Sequence, residues 1–491
     1  MSSLDAVLSA LAHAEGRAQR RSSLRHRHLL TTPIAMVPWH LGAEPFTYAA
    51  LAYGEWAPHF EAMALPGEPR DRRLLFPVTV PLAQWFNERF EAAWHTAGGM
   101  DRDKNEPLED APQIVVPNEG AVTVLRKLGR RFAYLPTEPT EGGPPPADPV
   151  LVRFGRHLQF LGLSAGQPGR QLVLAASTLA GDGWATEQTI AERANLAALD
   201  AWIDPPSGVH GFEAAAAVED LNAGPLPSPK VEERVNVLVG RFDDARRDGN
   251  TVDEAAALSE LEAVYRVLSE GAWQLMWRVV ERERRWQEEA RFLPARWARD
   301  VEDYARHMDW IAGPAEGRRR TRDTIRQAMV IRRRLEADAQ CLKAEEALSD
   351  PLRLIPYLLD NKAIEGTVHS YELDHRMVKP GKRQMSRAPK IVLRTTLPCV
   401  MPIGKELWWS EEPGKVWAQL VDVSDDPSGS GSLVTLLFLA NMTAADAIAA
   451  SSNTVCFSEL STNVFLWDKV PAKDPWTHAP AATEPAALEE D

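Results

Sequence analysis

The sequence predicts an α+β chain: mainly helical N-terminal and middle regions followed by a small C-terminal antiparallel β-barrel of OB-like or SH3-like form. Three observations predict it. Between residues 150 and 350 apolar residues recur at helical spacing, as in Trp297, Val301, Tyr304 and Met308. After Pro351 the text changes to short β-branched and aromatic runs divided by Gly, Pro and Asp. Between the mixed N-terminal text and the helical text stands TEPTEGGPPPADP, residues 137–149, whose prolines favour extended backbone without internal hydrogen bonds. The expected organisation is therefore a mixed α/β region 1–136, a linker 137–149, a helical domain 150–350, a barrel 351–478 and a disordered acidic tail 479–491.

Taken in order, Leu4, Val7, Leu8 and Leu11 mark a short N-terminal helix, followed by a basic stretch. Prolines at 33, 38, 45, 58, 66, 69, 77 and 81 argue against long helices from Thr31 to Gly99. Leu74 to Val80 reads as a strand. Pro81 to Trp94 reads as a helix with proline in its first turn and Leu82, Trp85, Phe86 and Phe90 on one face. Ile114 to Val116 reads as a strand and Glu119 to Arg131 as a helix. Further on, Trp273, Trp277 and Val280 share a helical face, and the last helix of the middle region runs from about Arg318 to Leu348. The barrel strands are expected at Thr367–Leu373, Lys390–Thr395, Glu406–Trp409, Val416–Val423 and Leu433–Phe438.

Composition bounds the function classes. The 491 residues are 44% apolar and 25% charged, enough to bury several cores without disulfides or structural metals. Lys and Arg total 55 against 69 Asp and Glu, a net charge of −14. A body of that charge is not drawn as a whole to nucleic acid or anionic lipid, so such binding requires a local basic patch. Cys341, Cys399 and Cys456 are far apart and form no CxxC pair, which argues for free thiols. The N-terminal basic cluster follows the first apolar run, the reverse of a secretory signal, and no run reaches the roughly 18 apolar residues of a membrane span. The expected location is cytoplasmic.

Several motifs invite chemistry. Gly162-Leu163-Ser164-Ala165-Gly166 fits G-x-S-x-G, but Pro168 and Gly169 oppose the helix that must follow a nucleophile elbow. Gly404-Lys405 lacks the flanking residues of a P-loop, and Gly429-Ser430-Gly431 sits in an acidic turn. His369 and His375 surround Glu372 and Asp374, yet strand alternation sends the histidines and the acids to opposite faces. No cofactor and no metal site is expected.

The sharpest anomaly is charge. Arg376, Lys379, Lys382, Arg383, Arg387, Lys390 and Arg394 form a window of seven cations without one acid, between the first two expected barrel strands. Lys and Arg hold phosphates, and aromatic side chains give stacking platforms for bases. Trp408, Trp409 and Trp417 follow on neighbouring strands. Since Trp408 and Trp409 are adjacent, one of them must point away from the barrel core. A second basic stripe, Arg318, Arg322, Arg326 and Arg333, widened by Arg319, Arg320, Arg332 and Arg334, reads as a solvated or acid-paired helix face. The sixteen tryptophans are otherwise assigned mostly to helix packing.

The C-terminal text EGTVHSYELDHRMV, RAPKIVLRTTLPCVMPIGKELWWSEEPGKVWAQLVDVS, VTLLFL, VCFSEL and PWTHAP resembles accessory barrel regions beside the motor core of some bacterial superfamily-1 helicases. The resemblance covers about a quarter of the chain and brings no catalytic motif; the Walker elements of the motor are absent. It implies a helper of an ATP-dependent motor in a DNA-processing or defence system. The expectation is a non-enzymatic accessory subunit that contacts DNA or RNA through the basic-loop barrel and a partner protein through the helical scaffold, with no membrane partner. The alternatives are a pure protein-interaction subunit and, behind it, a hydrolase centred on Ser164.

Overall fold

The structure, a computed structural model, describes residues 3–41, 48–55, 59–64, 72–139, 141, 146–221, 223–313, 325–429 and 431–464. It divides into two compact units, Met1–Gly313 and Pro314–Asp491. Among the described residues no helix is long and apolar enough to cross a membrane.

The first unit begins with α1 (Ser3–Glu15) and β1 (Gln19–Arg20). It is built on a five-stranded sheet of β2 (Ile34–His40), β3 (Tyr48–Gly54), β4 (Glu61–Ala64), β5 (Ile114–Val116) and β6 (Val173–Ala175), in the order β4-β3-β2-β5-β6. The β4-β3-β2 side is antiparallel and the β2-β5-β6 side is parallel. Strand β2 is buried throughout and feeds two cores by alternation. Ile34 and Met36 enter a core with α2 (Arg72–Thr96), α3 (Glu119–Phe132), α4 (Pro149–Ser164) and α10 (Leu293–Ala312). Ala35, Val37 and Trp39 enter a second core with α5 (Ala176–Gly183), α6 (Leu196–Ile203), α8 (Pro229–Arg247) and α9 (Thr251–Arg284). A small cluster joins α1 and α6 to α7 (Gly211–Ala217), and β1 pairs with β7 (Trp184–Ala185). The sheet runs across the proline-rich stretch where the sequence suggested a boundary: β5 precedes residues 137–149 and β6 follows them, inside one unit.

One expectation is corrected outright. Residues 72–96, read as a strand and then a shorter helix, are a single helix containing Pro77 and Pro81. Two interior prolines cost about 6 kcal/mol in lost hydrogen bonds and steric conflict. Against that, Leu75, Leu82, Phe86, Phe90 and Trp94 lie on one face and are all but fully buried, together about 10 kcal/mol of apolar burial. Burial outweighs local propensity. The faces predicted for α9 and α10 are found: Trp273, Trp277, Val280, Trp297, Val301, Tyr304 and Met308 are all buried.

The second unit holds α11 (Ile325–Ser349), α12 (Pro351–Leu359) and a closed antiparallel barrel. Its strands are β8 (Ala363–Glu372), β11 (Lys390–Thr395), β12 (Glu406–Trp409), β13 (Trp417–Asp425), β14 (Ser432–Leu437) and β15 (Val455–Ser458). Around the barrel the order is β8-β11-β14-β13-β12-β15, closing on β8. Ile391, Leu393, Leu407, Ala418, Leu420, Val434 and Leu436 alternate inward and are fully buried. Gly366 lets β8 approach β11, since a Cβ there would lie 2.3 Å from the Arg394 carbonyl oxygen. Helix α13 (Met442–Ala449) joins the end of β14 to the start of β15 and plugs that end of the barrel with Ala445, Ile448 and Ala449. The expected tail 479–491 lies outside the described residues.

Candidate nucleic-acid interface

Most of the basic window is a hairpin of its own. Residues β9 (Arg376–Val378) and β10 (Met385–Arg387) form an antiparallel ribbon between β8 and β11, with Val378 opposite Met385 and Arg376 opposite Arg387. The ribbon pairs with no barrel strand. The local sequence dictates its turn. Lys379-Pro380-Gly381-Lys382 carries proline where φ must be near −65° and glycine where φ is positive, here +75°. The Lys382 N–H donates to the Lys379 carbonyl at 3.0 Å and closes that turn.

The base of the hairpin is tied to the plugged end of the barrel. Arg387 forks onto the two carboxylate oxygens of Asp446 on α13, and its Nε donates to the Leu373 carbonyl at 2.8 Å. The charge and hydrogen bonds of Asp446 hold the guanidinium pKa above its ordinary value. Lys379 Nζ donates to the Leu439 carbonyl at 2.8 Å. The Ala388 N–H reaches the His375 carbonyl at 2.8 Å, and the Phe438 N–H reaches that of Pro389 at 2.9 Å.

The seven expected phosphate ligands therefore divide. Arg376, Lys382 and Arg383 are exposed on the ribbon and its turn and make no ion pair with a described residue; Lys390, half-exposed at the start of β11, makes none either. Arg387 at the base and Lys379 in the turn are committed to contacts with the barrel end. Arg394 lies at the far end of β11, where its Nε is 3.0 Å from the buried carboxylate of Asp426. The N–H and hydroxyl of Ser428 hold that carboxylate below its usual pKa, with Arg394 adding to the effect. Arg394 is thus a structural partner of the acidic turn and not part of the hairpin surface.

The tryptophans are resolved by strand parity. Leu407 and Ala418 point into the barrel, Trp409 packs beside them, and Trp408 and Trp417 are cross-strand partners on the outside. Trp408 is therefore the outward member of the adjacent pair. The barrel order corrects the expected proximity to the cations. The hairpin rises from the β8–β11 seam, and the tryptophan pair lies on the β12–β13 seam, with β14 between them on one side and β15 on the other. In a six-stranded barrel these are opposite walls. Residues 459–462 also run back along β12, from the Lys405–Glu459 ion pair at 3.0 Å to the Thr462 hydroxyl, which donates to the Pro413 carbonyl at 3.0 Å. Nearer the hairpin, Tyr371, 57% exposed at the end of β8, is an aromatic that the sequence reading passed over.

The other candidates resolve into structure. Ser164 ends helix α4 and no strand precedes it, so the elbow geometry is absent. Gly162 serves helix contact: a Cβ there would lie 2.7 Å from Arg126 on α3, and Gly129 and Gly155 are equally close at the same helix pair. His375 pairs with Glu372 at 3.4 Å, and among the described residues no group of three or more His, Cys, Asp or Glu could hold a metal. Cys399 and Cys456 are buried free thiols whose pKa values burial pushes up, that of Cys456 to about 12. On α11, Arg332 and Arg333 pair with Glu336 at 3.0 and 2.9 Å, and Arg334 approaches Asp338 at 3.9 Å. Arg318, Arg319, Arg320, Arg322 and the side chain of Arg326 lie outside the described residues.

One polar cluster gave no sequence signal. Glu91, buried on α2, accepts from Arg153 and from His157 Nε2 at 2.8 Å, and His157 Nδ1 is 2.9 Å from His307 Nε2. A carboxylate only accepts, so His157 donates through Nε2 and takes the His307 proton donor on Nδ1. His157 is fully buried and His307 nearly so, and burial lowers both imidazole pKa values. Glu91 is held at about 2: burial opposes ionisation, and the His157 and Arg153 hydrogen bonds overcome it. The cluster lies outside the cleft of about 460 Å³ lined by His28, Arg102, Trp297 and Asp309. It reads as a satisfied ionic core that ties α2 and α4 to α10.

No protein-family model, curated protein or solved structure matches this chain.

Proposed function

We infer that the chain is a non-enzymatic accessory subunit that holds nucleic acid on the 376–387 hairpin of its barrel, while its helical scaffold serves a partner protein. One observation carries this reading: in a chain of net charge −14, Arg376, Lys382 and Arg383 stand exposed and without an ion-pair partner among the described residues, on a ribbon whose base is fixed by Arg387 and Asp446. Cations that the protein does not neutralise itself, grouped on one projection, attract a polyanion. The partner expected from the resemblance is an ATP-dependent motor in a DNA-processing or defence system.

Filter binding across a salt series tests the reading. Arg376, Lys382, Arg383 and Lys390 together predict a log–log slope of about −3 on a single strand and about −3.6 on a duplex. Absence of binding at low salt, or a slope near zero, removes the proposal. A protein-only role has its own support in Leu397, Val400 and Ile403, exposed together on the loop between β11 and β12. That role predicts binding to a partner protein with no nucleic acid retained.

A further inference from the structure

The exposed face of the hairpin is not uniformly charged. Val378 and Met385 are register partners, hence neighbours on one face, and they are 51% and 63% exposed. Arg376 follows two residues along the same face toward the base, and Lys382 and Arg383 occupy the turn beyond them. An apolar step thus lies between cations on both sides. Neither side chain contributes to a barrel core. Among the described residues the ribbon pairs with no further strand, and its own strands lie about 5 Å apart, so with side chains it fits a groove about 12 Å wide.

We propose that the hairpin enters the major groove of duplex DNA, with Val378 and Met385 against the base edges and Arg376, Lys382 and Arg383 on the flanking phosphates. This rests on the reading of the hairpin as a nucleic-acid surface and goes further by choosing the ligand. A single strand would need a row of stacking platforms beside the cations; Tyr371 at the end of β8 offers one exposed ring, and the tryptophan pair lies on the opposite wall. Apolar side chains aimed at base edges match thymine methyl groups, which are displayed in the major groove alone.

The test compares the full-length chain on three probes of equal length: a thymine-rich duplex, the same duplex with uracil in place of thymine, and one of its single strands. The expected order is the thymine duplex tightest, the uracil duplex weaker by about threefold to tenfold, and the single strand weaker than the thymine duplex by at least about tenfold. The double variant Val378→Ser, Met385→Ser keeps every cation. It is expected to keep the salt slope and to lose the difference between thymine and uracil duplexes. Circular dichroism checks its fold, and the probe comparison on the unaltered chain stands without it. Single-strand binding equal to or tighter than duplex binding, or indifference to the thymine methyl, overturns the groove proposal and leaves the cationic hairpin intact. Failure to bind all three probes at low salt overturns the underlying reading instead.

Discussion

Two sets of cations on the hairpin carry the same kind of side chain and use it in opposite ways. At the base Arg387 meets both carboxylate oxygens of Asp446, and from the turn Lys379 reaches the Leu439 carbonyl. Arg376 beside Arg387 on the ribbon, and Lys382 and Arg383 in the turn, are exposed and make no ion pair with a described residue. The helical unit repeats the first pattern at Arg153 and Glu91. Paired cations fix backbone, whereas unpaired ones leave a field outside the molecule. Residue type and sequence window do not separate the two; only the location of the nearest acceptor, carboxylate or carbonyl, does.

The largest expected effect strikes the unpaired cations. Replacing Arg376, Lys382 and Arg383 together by alanine removes three phosphate contacts, so duplex affinity at 0.1 M salt should fall by roughly several hundredfold. The melting temperature should stay within about 1 °C, because surface substitutions away from specific contacts seldom shift stability. Filter binding and thermal melts on the same preparations check both halves. A triple variant that melts much earlier would mean that these exposed cations are structural after all.

The next effect sharpens the paired side of the comparison. Glu91→Gln gives buried His157 and partly exposed Arg153 a neutral partner and should cost about 2 kcal/mol at pH 7, read by urea unfolding. The sign follows from a folded pKa of about 2, below the ordinary carboxylate value. The stabilisation is present above the unfolded pKa, near 4.5, and fades as pH falls toward 2. The two proteins should therefore converge in stability at low pH. His157 and His307, held neutral by burial, add a separate acid sensitivity that begins as pH drops below about 6.5, where unfolded histidine takes up protons and the buried rings do not.

A smaller effect concerns the pin itself. Arg387→Ala should free the hairpin and speed tryptic cleavage after Lys382 and Arg383 by roughly tenfold, seen by intact mass over time. An unchanged cleavage rate would show the base to be held by its backbone bonds alone. The smallest effect tests the two barrel walls. Trp408→Ala with Trp417→Ala should change nucleic-acid affinity by less than about twofold, since that wall faces away from the hairpin. A loss of tenfold or more would mean that the bound strand wraps the barrel.

Periodic features were legible in the sequence. Five of the six barrel strands, all but β15, were legible as short β-branched or aromatic runs, the faces of α9 and α10 by helical spacing, and the opposite facing of Trp408 and Trp409 by adjacency alone. The features missed depend on contacts distant in sequence. Pro77 and Pro81 argue locally against a helix that tertiary burial enforces. Arg387 and Asp446 are 59 positions apart, and Glu91 and His157 are 66 apart, so nothing local marks either pair. The cyclic order of the barrel, which separates the tryptophans from the cations, depends on β8 meeting both β11 and β15. Gly162 reads locally as part of a catalytic motif and serves instead where two helices nearly touch.

The most direct measurement is the salt dependence of duplex binding for the native chain and for the Arg376→Ala, Lys382→Ala, Arg383→Ala variant, side by side. A native log–log slope of about −3.6, falling to about −0.9 in the variant at an unchanged melting temperature, is the result the division between paired and unpaired cations predicts. Equal slopes for the two proteins would contradict it.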